Sequence, residues 1–200
     1  MGTATLLALL TGSACRPTAP APANPQPAAQ APTHTAADVQ FVSGMISHHA
    51  QAILIAGWAP SHGAGPSVRA LCERIVVGQN DEIATMQSWL ADRHEPVPDA
   101  DPRGHRMPGM DHWMLMPGML TPEQLAQLDA ARGIDFDRLF LRFMIQHHQG
   151  ALTMVDQLLA VPGAAQDGPV FRLANDVHVD QVTEINRMQI MLDALQRSPE

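Results

Sequence analysis

The chain has 200 residues and a net charge of -8, with 46% hydrophobic but only 4% aromatic residues and no Tyr. That length fits one domain plus a tail, and an aliphatic-rich, aromatic-poor mixture favours packed helices over sheets. The twelve Lys and Arg are scattered along the chain, which argues against a nucleic-acid role.

Thr5–Leu10 is apolar and runs into Thr11-Gly12-Ser13-Ala14-Cys15. This is similar to a bacterial lipoprotein signal, in which small residues precede a lipidated Cys, although Gly12 replaces the usual Leu and no basic residue precedes the run. The run is too short to span a bilayer. Pro17, Pro20, Pro22, Pro25, Pro27 and Pro32 then predict an extended, disordered tether, because Pro fixes φ and removes backbone donors. The expected division is a signal-like segment over 1–15, a Pro/Ala-rich linker over 16–36 and a folded domain over 37–197. Export to the periplasmic or extracellular face follows, with a lipid at Cys15 as the membrane contact. Cys72 is then unpaired and reads as a small buried hydrophobe.

The spacing predicts a first helix over Asp38–Trp58, with Phe41, Met45, His48, His49 and Ala52 at three- and four-residue steps and Thr35 or Asp38 as its cap. A turn around Pro60–Pro66 leads to a second helix, Ser67–Ala91, on which Gln79, Glu82 and Met86 share a face. Residues 93–120 form a long connection rich in Pro, Gly, Met and His, followed by a short helix opened by Thr121-Pro122. Ile134–Val161 holds a third long helix and Pro169–Gln196 a fourth. Four long helices with tight turns inside each pair predict two helical hairpins and an antiparallel four-helix bundle.

The hairpins repeat. Asp38–Ala52 and Asp137–Ala151 share Asp38/Asp137, Phe41/Phe140, Met45/Met144, Ile46/Ile145, His48/His147, His49/His148 and Ala52/Ala151. The second helices add Gln79/Gln181, Glu82/Glu184, Ile83/Ile185, Met86/Met188 and Leu90/Leu192. Packing accounts for the apolar members but not for the recurrence of Asp, Met-x-x-His-His, Gln and Glu.

Adjacent His48 and His49 diverge by about 100° on a helix, so both cannot easily reach one centre. Imidazole with thioether is a soft donor set suited to copper, above all Cu(I), with zinc or another divalent ion as alternatives. The candidate metal residues are His48, His49, His147, His148, Met45, Met144, Met86, Met188, Glu82 and Glu184, with the two Glu either orienting an imidazole or binding Cu(II) directly. Asp38, three turns away, reads as a cap. The connection supplies a secondary set: His105, Met107, Met110, His112, Met114, Met116 and Met119. An apolar flap is the alternative for that segment, since Met also fills gaps. His34, His62, His94 and His178 lack recurring partners and read as structural or solvent-facing.

The two Asp-x-x-Phe-x-x-x-Met-Ile-x-His-His-x-x-Ala helices resemble those of the bacterial "domain of unknown function 305" family, over roughly Asp38 to Leu195. The resemblance implies a ferritin-like four-helix bundle, usually exported, with some members linked to periplasmic copper binding and resistance. The leading expectation is an exported protein that binds, buffers or transfers copper. The implied partners are the metal ion, with a copper-transfer protein and a second copy of the chain as further candidates. A metalloenzyme on the same bundle is the alternative. Its di-iron version is disfavoured because Glu82 and Glu184 are followed three residues later by Thr85 and Arg187, not His. A metal-free interaction module at the envelope is the third reading.

Overall fold

The computed structural model describes residues 1–2, 34–104 and 114–197. Among them are five helices and no strand: α1 (Ala36–Ala56), α2 (Pro66–Asp92), α3 (Pro122–Ala130), α4 (Gly133–Leu159) and α5 (Gly168–Arg197). All belong to one compact unit, Pro32–Glu200. The signal-like segment with Cys15 and most of the Pro/Ala-rich linker lie outside the described residues, as do His105, Met107, Met110 and His112 of the connection.

Local chemistry sets the helix ends. Thr35 caps α1 in a reciprocal box: its side chain accepts from the Asp38 amide, and Asp38 accepts from the Thr35 amide. Thr121 and Gln124 repeat that box at α3, with Pro122 in the first turn, where a missing amide costs nothing. Pro66 opens α2 directly after Gly65.

The architecture is a ferritin-like bundle of two duplicated hairpins, α1–α2 and α4–α5, joined through contact of α1 with α4. The core falls into two apolar clusters. One combines Met45, Ile46 and Met86 with Ala151, Met154 and Val177; the other combines Ala52, Ile55 and Leu71 with Phe140, Met144 and Met188. Met45 precedes the His pair of α1, whereas Ala151 follows that of α4. Their sharing a cluster means that α1 and α4 cross antiparallel at their His pairs. The recurring Ala52 and Ala151 each share a cluster with the Met of the opposite helix. Burying one such Met contributes about 1.5–3 kcal/mol.

The sequence assigns α1 a single broad buried face. Instead, every residue from Phe41 to Ala52 is buried, Ser43, Ser47 and Gln51 included. The cause is a strap, Met114–Leu120, that covers the side of α1 opposite α2. The Gln51 side chain imitates a peptide: its Oε1 accepts from the Leu120 amide at 2.6 Å and its Nε2 donates to the Leu120 carbonyl at 3.1 Å. The Gln51 amide also lies 3.2 Å from the Pro102 carbonyl. On α4 the aligned position is Gly150, where an added Cβ would sit 1.9 Å from the Pro117 carbonyl oxygen. Gly118, at φ +77°, packs on the same spot. Gln146 Nε2 donates to its carbonyl at 3.2 Å.

The recurring Asp residues serve structure, as expected for Asp38. Buried Asp38 accepts from the Ala165 amide at 2.7 Å, in the turn between α4 and α5. Asp137 accepts from the Gly65 amide at 3.0 Å, in the turn between α1 and α2. Each hairpin therefore grips the turn of the other.

Asp38→Ala leaves the Ala165 and Thr35 amides without an acceptor. It is expected to cost about 1–3 kcal/mol, read as a lowered urea midpoint. Gly150→Ala is expected to cost a similar amount, about 1–3 kcal/mol, by forcing the strap off α4, read in the same way.

Candidate metal centre

Between the two apolar clusters lies a polar layer. His48, His49, His147 and His148 are all fully buried, and Gln79 and Gln181 lie nearly as deep. Neighbouring imidazoles diverge as helix geometry demands: ring centroids are 6.3 Å apart for His48 and His49 and 6.2 Å for His147 and His148. The antiparallel crossing instead brings His48 and His147 together, with centroids at 3.8 Å. The outer two point to the second helices. His49 Nε2 lies 2.6 Å from Glu82 Oε2, and His148 Nε2 lies 2.7 Å from Glu184 Oε2. Positions that align in sequence thus make matching contacts on the two sides.

His48 Nε2 sits 3.0 Å from the Pro117 carbonyl of the strap. A carbonyl only accepts, so Nε2 carries the proton of this neutral ring and Nδ1 presents a lone pair. His148, bonded to Glu184 through Nε2, likewise turns Nδ1 inward. The ring nitrogens without a partner are His48 Nδ1, His49 Nδ1, His148 Nδ1 and both nitrogens of His147. The side-chain oxygens of Gln79 and Gln181 are unpartnered as well.

Burial dominates the electrostatics. Desolvation, reinforced by His49, lowers the His48 pKa to about 3, against a weaker opposing effect of the Pro117 bond. Desolvation and the neighbouring His48 push His147 well below the ordinary imidazole range. His148 is lowered by desolvation, opposed by the Glu184 carboxylate. These three rings are neutral near pH 7, the state that ligates a metal.

The remaining candidates divide clearly. Met45 with Met86, and Met144 with Met188, are fully buried, one pair in each apolar cluster flanking the layer. Glu82 and Glu184 hold imidazoles and also line a cleft of about 540 Å³ between α2 and α5, together with Gln79, Asp180 and Gln181. Among the described residues, no three of His, Cys, Asp or Glu are grouped so as to hold a metal ion. Of the described connection Met residues, Met114 and Met116 are half-buried in the strap and Met119 is buried. Cys72 is buried and unpaired, its thiol pushed up to about 12 by desolvation. His62 is structural, bonded to Asp129 and stacked on Trp58, while His34 bonds Glu95. Sequence reasoning missed Gln51, whose only signal was a polar residue in an otherwise apolar run.

A family profile described as "Domain of unknown function (DUF305)" matches residues 38–192, and the chain belongs to that family. Three solved structures are similar to it. A DUF305 fragment from Deinococcus radiodurans is 31% identical, covers 82% of this chain and 99% of its own, and has a TM-score of 0.67. A DUF305 protein from Streptomyces coelicolor, inferred to be secreted, is 26% identical, covers 80% of this chain and 92% of its own, and has a TM-score of 0.68. CopM in its Cu(I)-bound form is 27% identical, covers 78% of this chain and 96% of its own, and has a TM-score of 0.59; it is also solved Cu(II)-bound, Ag-bound and apo. Uncharacterized protein L153 of Acanthamoeba polyphaga mimivirus is 36% identical over 56 residues, 28% of this chain, and the match spans 37% of that protein. No helix among the described residues is long and apolar enough to cross a membrane.

The buried imidazoles predict acid sensitivity. The folded-state pKa values of His48, His147 and His148 lie below the 6.5 of a free imidazole. Below pH 6.5 the unfolded chain therefore takes up protons that the folded chain refuses. Stability is full above that pH and falls as pH drops, by at most about 1.4 kcal/mol per pH unit for each ring and only until that ring's own folded-state pKa is reached. The urea midpoint should be flat from pH 8 to 7 and decline steeply from 6.5 to 4.5. A midpoint unchanged between pH 7 and pH 5 would contradict the buried neutral layer.

Proposed function

We propose that this DUF305 protein is an exported binding protein for a soft metal ion, copper first, held at the imidazole layer between α1 and α4. The observation that carries the reading is the set of inward-turned ring nitrogens. Lone pairs in a dry interior cost free energy unless a donor or a cation meets them. A duplicated layer in which His48 Nδ1, His147 and His148 Nδ1 all lack one is poor packing but a good ligand store.

Two features support copper over zinc. The donors nearest along each helix are imidazole and thioether, Met45 with His48 and His49, and Met144 with His147 and His148, a set matched to Cu(I). The similarity to CopM, solved with Cu(I), Cu(II) and Ag, points the same way. In this reading His48 and His147 supply the central nitrogens, and Met45 and Met144 the sulfurs, with Met86 and Met188 behind them. His49 and His148 join through Nδ1 while Glu82 and Glu184 fix their orientation through Nε2, as carboxylates do behind metal-bound imidazoles. Glu82 and Glu184 also line the α2–α5 cleft, so they stand between solvent and the layer on the side away from the strap.

Export rests on the signal-like segment ending at Cys15 and on the similarity to a DUF305 protein inferred to be secreted. Lipidation at Cys15 and a Pro/Ala tether would hold the bundle off the membrane, where it would buffer copper or pass it to a transfer protein.

Cu(I) titration against a competing chelator tests the site. His48→Gln with His147→Gln should weaken binding at the layer at least tenfold while helical content is retained. Glu82→Gln with Glu184→Gln should weaken it by about 10–100-fold, the usual cost of removing an orienting partner. Equal affinity of the wild type and the His48/His147 variant would end the proposal.

A further inference from the structure

The α1 helix has a gap at Gly44, where the aligned α4 position is Phe143. Two methionines fill that gap. A Cβ built on Gly44 would lie 3.1 Å from Met116 Sδ of the strap and 3.4 Å from Met154 Cε of α4. Met154 has no counterpart in the first hairpin, where the aligned residue is Ile55. The hairpins therefore depart from their own repeat at both Gly44 and Met154, where the strap brings Met116 between them. A third sulfur, Met119 Sδ, accepts from the Met116 amide at 3.3 Å.

We propose that Met116 and Met154 form a second, cavity-lining thioether site for a soft monovalent cation, Cu(I) or Ag(I), distinct from the imidazole layer. Both side chains line a cavity of about 190 Å³ with Gln40, Phe41, Pro117 and Leu158, and no charged side chain lines it. A hard cation finds no carboxylate there, whereas thioethers are soft donors that select Cu(I). Met also fills core gaps, but a gap-filler needs no cavity beside it, and Met116 stays only partly buried at this one. The next residue, Pro117, gives its carbonyl to His48 Nε2, so an ion at this site is one residue along the strap from the contact that fixes an imidazole of the layer. The site deepens the reading of the chain as a soft-metal binder but uses none of the residues of the layer.

The test is Ag(I) titration of the full chain carrying 13C-methyl Met, with the Met116 and Met154 signals identified by their loss in Met116→Leu and Met154→Leu. Met-to-Leu exchange conserves volume and is well tolerated in cores. Both methyl signals should move on addition of Ag(I), and the Met116→Leu/Met154→Leu variant should bind one ion fewer per chain than the wild type. The His48→Gln/His147→Gln variant should keep the response of both methyls. If that variant keeps the response and also binds as many ions as the wild type, the layer is not a metal site and the thioether site stands alone. Unmoved methyls, or unchanged stoichiometry in the double Leu variant, overturn the proposal. So does loss of the methyl response in the folded His48/His147 variant, which would show a single shared site.

Discussion

Four imidazoles in an interior that cannot solvate them set the terms for the rest of this bundle. Each ring carries a donor and an acceptor, and a buried polar atom without a partner costs on the order of 1–3 kcal/mol. The chain meets only part of that demand. Glu82 and Glu184 take one nitrogen each, Pro117 takes another, and the remainder face inward. The layer also partitions the apolar core, so the Leu, Ile and Met side chains pack as two clusters on either side of it rather than as one. The antiparallel crossing of α1 and α4 places His48 against His147 and gives the four long helices their arrangement.

The strap turns a nearly symmetric object into one with a closed side and an open side. Gln51 and Gly150 occupy aligned positions, yet one holds the strap with hydrogen bonds and the other admits it by having no side chain. The duplicated hairpins could not both bond one segment in the same way, so the repeat breaks where the segment crosses. On the opposite side α2 and α5 stand apart across a cleft edged by carboxylates. The cleft borders the layer through Glu82 and Glu184, whose carboxylates lie against His49 and His148.

Much of this was legible in the sequence because it is periodic or local. Helix ends follow Thr, Pro and Gly, the repeat follows from alignment, and the divergence of His48 from His49 follows from 3.6 residues per turn. The role of Asp38 as a cap was also readable, since Thr35 is three residues away. Its second bond, to Ala165 on the far hairpin, was not, and neither was the grip of Asp137 on Gly65. Contacts separated by 127 and 72 residues depend on how the hairpins dock, and periodicity carries no information about docking. Gln51 was overlooked for the same reason, since its partner lies 69 residues away. Nothing in the sequence marks Met154, because only the fold brings Gly44 and Met116 beside it. For Glu82 the sequence left two roles open, orienting an imidazole or binding Cu(II), and did not say which ring it would meet; in the fold it lies 2.6 Å from His49 Nε2.

Neither hairpin owns a core. Phe41, Met45 and Trp89 of the first bury themselves with Met154, Val170 and Val177 of the second, and Ile55, Leu71 and Ile75 do so with Phe140, Met144 and Met188. A lone hairpin would leave a wide apolar face in water, and the natural cover for that face is another copy of itself, turned end for end. The two hairpins thus meet as the halves of a dimer would, and their join in one chain leaves them free to differ at Gly44, Gln51, Gly150 and Met154.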